Sequence, residues 1–109
     1  MKLNKNSRLK RNEAKLLKFP GGEIIRKGLN DIRHHRYKSI EALAVFIASP
    51  RLNEMGFRVS ENFFAEPHLL LYDRLTILDS GNAFSRYKSV MARVAKFCNH
   101  YSYSPARKG

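Results

Sequence analysis

Residues 39–48, SIEALAVFIA, decide the fold class. Ser39 supplies the hydroxyl expected of a helix N-cap, and the run from Ala42 to Ala48 is apolar around the whole helical circumference. A helix with no polar face has to be covered on several sides. At this length it falls far short of the roughly 20 residues that cross a bilayer. The segment therefore predicts a buried central helix, Ile40 to Ala48, against which other elements pack.

The flanking sequence supplies those elements. On the C-terminal side, Ser49-Pro50 reads as cap plus first-turn proline, and Gly56 suits the left-handed stop of a short helix over Arg51 to Met55. Phe57 to Ala65 lacks a period and predicts a surface connection anchored by Val59, Phe63 and Phe64, with a brief strand as the alternative. Pro67 opens a helix carrying Leu70, Leu71, Leu75 and Leu78 inward, and Ser80-Gly81-Asn82 breaks it. From Ala83 to about Tyr101, Phe84, Tyr87, Met91, Val94, Cys98 and Tyr101 recur every three or four residues, one stripe along a helix that lies antiparallel to its predecessor.

On the N-terminal side, Glu23 to about Arg36 sets Ile24, Ile25, Gly28, Leu29 and Ile32 opposite Arg26, Lys27, Asn30, Arg33 and His34. A first helix from Asn6 or Ser7 to Lys18 has too few apolar residues for a broad buried face, and Phe19-Pro20-Gly21-Gly22 ends it. The expectation is an all-α, compact bundle of four to five helices with a basic N-terminal segment. Residues 1–20 form that segment, docked loosely if helical, residues 21–103 the helical domain, and residues 104–109 a short basic tail.

With 43% hydrophobic residues, seven Phe and five Tyr, a 109-residue chain has the material for one core. No apolar run suggests a membrane span or a secretory signal, so the expected location is cytoplasmic. The single cysteine, Cys98, allows no internal disulfide and no cysteine metal cluster. Adjacent His34 and His35 point about 100° apart on a helix, and Gly21-Gly22 lacks the Walker or GxGxxG context. Neither a metal nor a cofactor is expected.

Twenty-one basic against nine acidic residues give a net charge of +12. The excess sits at the ends: residues 1–38 hold 12 basic and 3 acidic groups, residues 39–82 hold 3 and 6, and residues 83–109 hold 6 and none. Such a field favours a polyanion. Three cationic groups are candidates for it. On the last helix, Arg86, Arg93 and Lys96 share a flank with Ser89 and His100, and no acid on that helix offsets them. The N-terminal run includes Lys10 and Arg11 with Lys2, Lys5, Arg8, Lys15 and Lys18. Arg33, Arg36 and Lys38 form the third, with Tyr37 able to stack on a base or to pack internally, and Arg26 and Lys27 on the preceding helix are further phosphate-binding candidates. For each, the alternative is an ordinary solvated surface.

The expected function is noncatalytic binding or regulation of nucleic acid, DNA or RNA, mainly through the phosphate backbone. A tight helix-turn-helix is disfavoured, because Ile77 stands where a small residue belongs, four positions before Gly81, and Leu52 stands likewise before Gly56. The alternative is a helical protein-interaction module for an acidic partner or for self-association into an oligomer. A third reading starts from Arg93 and His100, with six residues between them. That spacing resembles the Arg-x4-6-His signature of HEPN ribonucleases, a resemblance covering two residues. It implies an all-helical fold, His100 as a proton-transfer residue and Arg93 as a phosphate stabiliser.

Overall fold

The computed structural model describes residues 14–103, and its elements follow the chain as α1 (Gly22–Arg33), α2 (Ile40–Ile47), α3 (Ser49–Glu54), α4 (Pro67–Leu78), a 3-10 turn (Ser80–Asn82) and α5 (Ala83–Ser102). Among the described residues no strand forms. The chain is an all-α compact helical fold, as its patterning predicts. Of the predicted N-terminal helix, residues 14–18 are described: 14–16 are helical and carry Leu16 into the core at 5% exposure, and the chain turns at 17–18, short of the expected end at Lys18. The predicted start of that helix, the cations Lys2, Lys5, Arg8, Lys10 and Arg11, and the tail from residue 104 lie outside the described residues.

Helix α2 is the centre. Ser39 caps it by accepting the Ala42 N–H at 3.0 Å, and Ala42, Leu43, Ala44, Val45 and Phe46 are all buried. It packs against α1, α3, α4 and α5, so its unbroken apolar circumference meets a neighbour on each side. Ala44, Val45 and Phe46 join Ile24, Ile25, Leu52, Val94 and Phe97 in one apolar cluster, while Leu43 joins Leu71, Leu75 and Ala83 in a second. Gly28 lets α1 approach α2 closely: a Cβ there would collide with the Glu41 carbonyl and the Val45 side chain. At the start of α1, Gly21 has φ 77° and lies against the backbone carbonyl of Arg93, which brings that end of α1 against α5.

Three details differ from the pattern read along the chain. Helix α1 stops at Arg33, not Arg36, because a tight hydrogen-bonded turn closes it. On α4, Leu71 and Leu75 are fully buried, but Leu78 in the last turn is 55% exposed. On α5 the stripe holds from Tyr87 to Tyr101, with Val94 and Cys98 buried and Tyr87, Met91 and Tyr101 half-buried, but Phe84 in the first turn is 63% exposed and Phe97, outside the three-and-four series, is completely buried. Phe97 is where Phe19, Phe57 and Tyr101 converge, with ring centroids 5.9, 6.2 and 5.3 Å away. The segments before α1 and after α3 thus widen the buried face of α5 in its C-terminal half, a tertiary effect with no trace in the helix's own period.

Candidate nucleic-acid interface

The turn after α1 is built by a helix-ending motif. The His35 N–H bonds the Ile32 carbonyl at 3.0 Å and the Arg36 N–H bonds the Asp31 carbonyl at 2.7 Å, the paired closure of a Schellman turn. The motif demands a left-handed residue, usually Gly, and here His35 takes it with φ 64°. That conformation costs a side-chain-bearing residue about 1 kcal/mol relative to glycine. His35 Nδ1 shares a 2.5 Å hydrogen bond with the Tyr37 hydroxyl, which orients that ring.

Asp31 ties the turn to both helices. It is 2% exposed, and its Oδ2 accepts from Lys27 Nζ at 2.7 Å and from Ser39 Oγ at 2.6 Å, while Oδ1 accepts from Arg36 Nε at 3.2 Å. Burial pushes the Asp31 carboxyl pKa up, but the hydrogen bonds from Lys27, Ser39 and Arg36 outweigh it and hold the group below its ordinary value. The Lys27 ammonium is raised in return, first by its hydrogen bond to Asp31, against some desolvation and with help from Glu41 at 3.5 Å. One carboxylate thus joins the last turn of α1, the Arg36 side chain and the cap of α2, and it fixes residues 34–39 between them.

A second anchor holds the segment after α3. The Asn53 amide pairs with the backbone of Val59 in both directions, donating to its carbonyl at 2.7 Å and accepting its N–H at 2.8 Å, and also donates to Glu61 at 2.9 Å. The bidentate bond does what a ladder partner would do, which explains a fixed but strandless segment. Beyond it, Phe63 stacks on Phe46 with centroids 5.0 Å apart and rings 5° from parallel; Tyr37 lies 4.5 Å from Phe63. Phe63 is nevertheless 46% exposed.

Tyr37 and Phe63 form a ridge with a groove on each side. The first groove is lined by Arg33, Arg58 and Ser60 together with the aromatic residues, the second by His35, Arg36, Lys38 and Arg74. No carboxylate lines either groove. Arg58, Lys38 and Arg74 are exposed. The arrangement offers cations on both sides of an exposed ring, the components of a site for a phosphate-bearing polyanion.

Of the positions singled out along the sequence, the fold brings Arg33, Arg36 and Lys38 together here and disperses the others. Arg93 forms an ion pair with Glu23 across the α1–α5 contact, and Arg86 lies 3.8 Å from Asp79. Lys96 is exposed. Lys27 points to Asp31 and Glu41. Arg26 is half-buried, with its Nε enclosed and without a hydrogen-bond partner among the described residues. His100 is exposed and its Nδ1 lies 2.9 Å from the Lys96 carbonyl, one turn back on the same helix.

Reading the sequence missed Arg58, Arg74, Phe63 and the role of Asp31. Only Asp31 left a signal: it follows Ile24 and Gly28 at helical spacing, a carboxylate on an otherwise buried stripe. Cys98 is buried, and burial pushes its thiol pKa up against the opposing pull of Arg51, which marks it as a packing residue. Among the described residues, no cluster of His, Cys, Asp and Glu is placed to hold a metal, and no helix is long and apolar enough to cross a membrane. Compared with protein-family models, curated proteins and solved structures, the chain shows no match.

Proposed function

We propose that the protein is a noncatalytic nucleic-acid-binding protein that holds the phosphate backbone in the two grooves beside Tyr37 and Phe63. The observation that carries this reading is the pair of grooves lined by Arg33, Arg58, Arg36, Lys38 and Arg74 without a carboxylate, in a chain of net charge +12. Phosphates released from their counterions onto such cations give binding that weakens steeply with salt. Anchoring by Asp31 and Asn53 supports the reading, because it fixes the backbone that carries Arg36, Lys38 and Arg58, so less of the chain has to be ordered on binding. The test is titration of nuclease-treated protein with DNA and RNA across a potassium chloride series, for wild type and for the Arg58→Glu, Arg74→Glu double variant. Binding that is salt-dependent in the wild type and largely lost in the variant is expected.

One observation favours a second reading, a protein-interaction module. Leu69, Ile77, Leu78 and Phe84 are large apolar residues left exposed on α4 and the start of α5, with Ile77 at 81%. On that reading the hairpin self-associates or docks a protein partner. Light scattering would then give a mass above the monomer, reduced by Ile77→Lys.

A further inference from the structure

We infer that Phe63 is a stacking platform for an unpaired base of single-stranded nucleic acid, with the flanking phosphates received by Arg58 on one side and by Lys38 and Arg74 on the other. The inference rests on the nucleic-acid reading and narrows it to one class of substrate.

Phe63 stands out among the exposed apolar residues because its ring is backed. It lies parallel on Phe46 at 5.0 Å and is flanked by Tyr37 at 4.5 Å and by Phe64, edge-on at 4.9 Å. Phe46, beneath it, is buried in the core. A ring held in this way is a rigid, half-exposed flat surface, and an aromatic face accepts any nucleobase with little sequence preference.

The surroundings choose the occupant. Cations without carboxylates line both grooves that the ridge separates, so a strand crossing the ridge sets a phosphate in each groove and a base over the ring between them. A duplex offers the phosphates but keeps its base faces inside the stack. An acidic peptide offers charge but no repeating π-face. Only an unpaired strand presents both at once. The ridge is also held from two directions, since Tyr37 follows the turn fixed by Asp31 and Phe63 follows the segment fixed by Asn53.

The chain contains no tryptophan, so Phe63→Trp places one fluorescent reporter on the ridge. Probes are labelled oligo(dT), oligo(U), an abasic deoxyribose-phosphate oligomer of the same length, and duplex DNA. Phe63→Trp is expected to keep or raise single-strand affinity, with emission quenched by oligo(dT) or oligo(U) and not by the abasic oligomer. The relative quenching by the two homopolymers separates DNA from RNA as the better ligand. Phe63→Leu, which retains an apolar cover over Phe46, is expected to lower single-strand affinity by roughly 5- to 100-fold. Its salt slope and its duplex and abasic affinities should stay unchanged, with folding checked by thermal denaturation. Single-strand affinity within about twofold of wild type in Phe63→Leu, or emission unaltered by saturating oligo(dT) and oligo(U), overturns the platform and leaves the phosphate reading standing. No binding of any probe by wild-type protein overturns both.

Discussion

The flank of α5 carries three cations and the grooves beside Phe63 five, and the two regions differ in where their carboxylates lie. On α5, Arg93 meets Glu23 and Arg86 meets Asp79, so carboxylates from outside the helix partly neutralise a row that has none of its own. Beside Phe63 no carboxylate lines either groove; Glu61, two residues before it, is held by Asn53 and faces a neighbouring cavity, and Asp31 is buried beneath the turn. With Glu41 it balances Lys27 and Arg36, so the excess charge of the grooves falls to Arg58, Lys38 and Arg74. A row of cations on one helix becomes a field only after the rest of the fold has placed its acids.

The largest effect that would break this comparison is at Asp31. Asp31→Ala leaves Lys27, Arg36 and Ser39 without their shared acceptor, and a loss on the order of 3 kcal/mol is expected in urea denaturation. The groove cations on residues 34–38 should lose affinity with it, whereas a structurally intact α5 flank would not. Because the Asp31 pKa is lowered on folding, its contribution is fully present above the unfolded carboxylate value of about 3.9 and is lost as pH falls through the lower folded value. The gap between wild type and Asp31→Ala should therefore narrow below about pH 4. The raised Lys27 pKa acts at the other end: its contribution is complete below the ordinary lysine value and fades as pH rises through the folded one.

Charge reversal sharpens the comparison directly. For single-stranded ligand, removing two phosphate contacts with Arg58→Glu and Arg74→Glu should reduce the magnitude of the log affinity against log salt slope by about 1.4. The double reversal of Arg86 and Arg93 to Glu should reduce it by less than half of that, because those side chains already have acidic partners. Equal losses would make the two regions equivalent. A smaller effect is expected of His35→Gly, which relieves the left-handed backbone and should raise stability by up to about 1 kcal/mol in urea. The smallest is His100→Ala: RNA length after incubation, read on a denaturing gel, should be the same as with wild type, and binding should be unchanged. Cleavage by wild type that His100→Ala abolishes would restore the HEPN-like reading.

The fold was legible where local pattern and tertiary role agree. An all-apolar helix with a serine cap could only be central, and the spacing of Leu71 and Leu75 pointed them inward. It was less legible where a neighbour decides, as with Phe97, which is buried by segments distant in the chain. The candidate site was half legible. Arg33, Arg36 and Lys38 announced themselves as a basic cluster next to an aromatic residue. Arg58 and Phe63 lie in a segment with no period, and Arg74 is an isolated cation on a helix otherwise rich in leucine, so nothing local sets them beside that cluster. The Glu23–Arg93 pair was out of reach for the same reason, since it depends on α1 crossing α5 near Gly21.

The most direct measurement of the central claim is the affinity of nuclease-treated wild-type protein for labelled oligo(dT) and oligo(U) over a potassium chloride series. Nucleic-acid binding through the grooves predicts a dissociation constant in the micromolar range or tighter at physiological salt, with a slope near −0.7 for each phosphate neutralised, and loss of most of that affinity in Arg58→Glu, Arg74→Glu. Negligible binding even at low salt, or binding that the double variant retains in full, would contradict it.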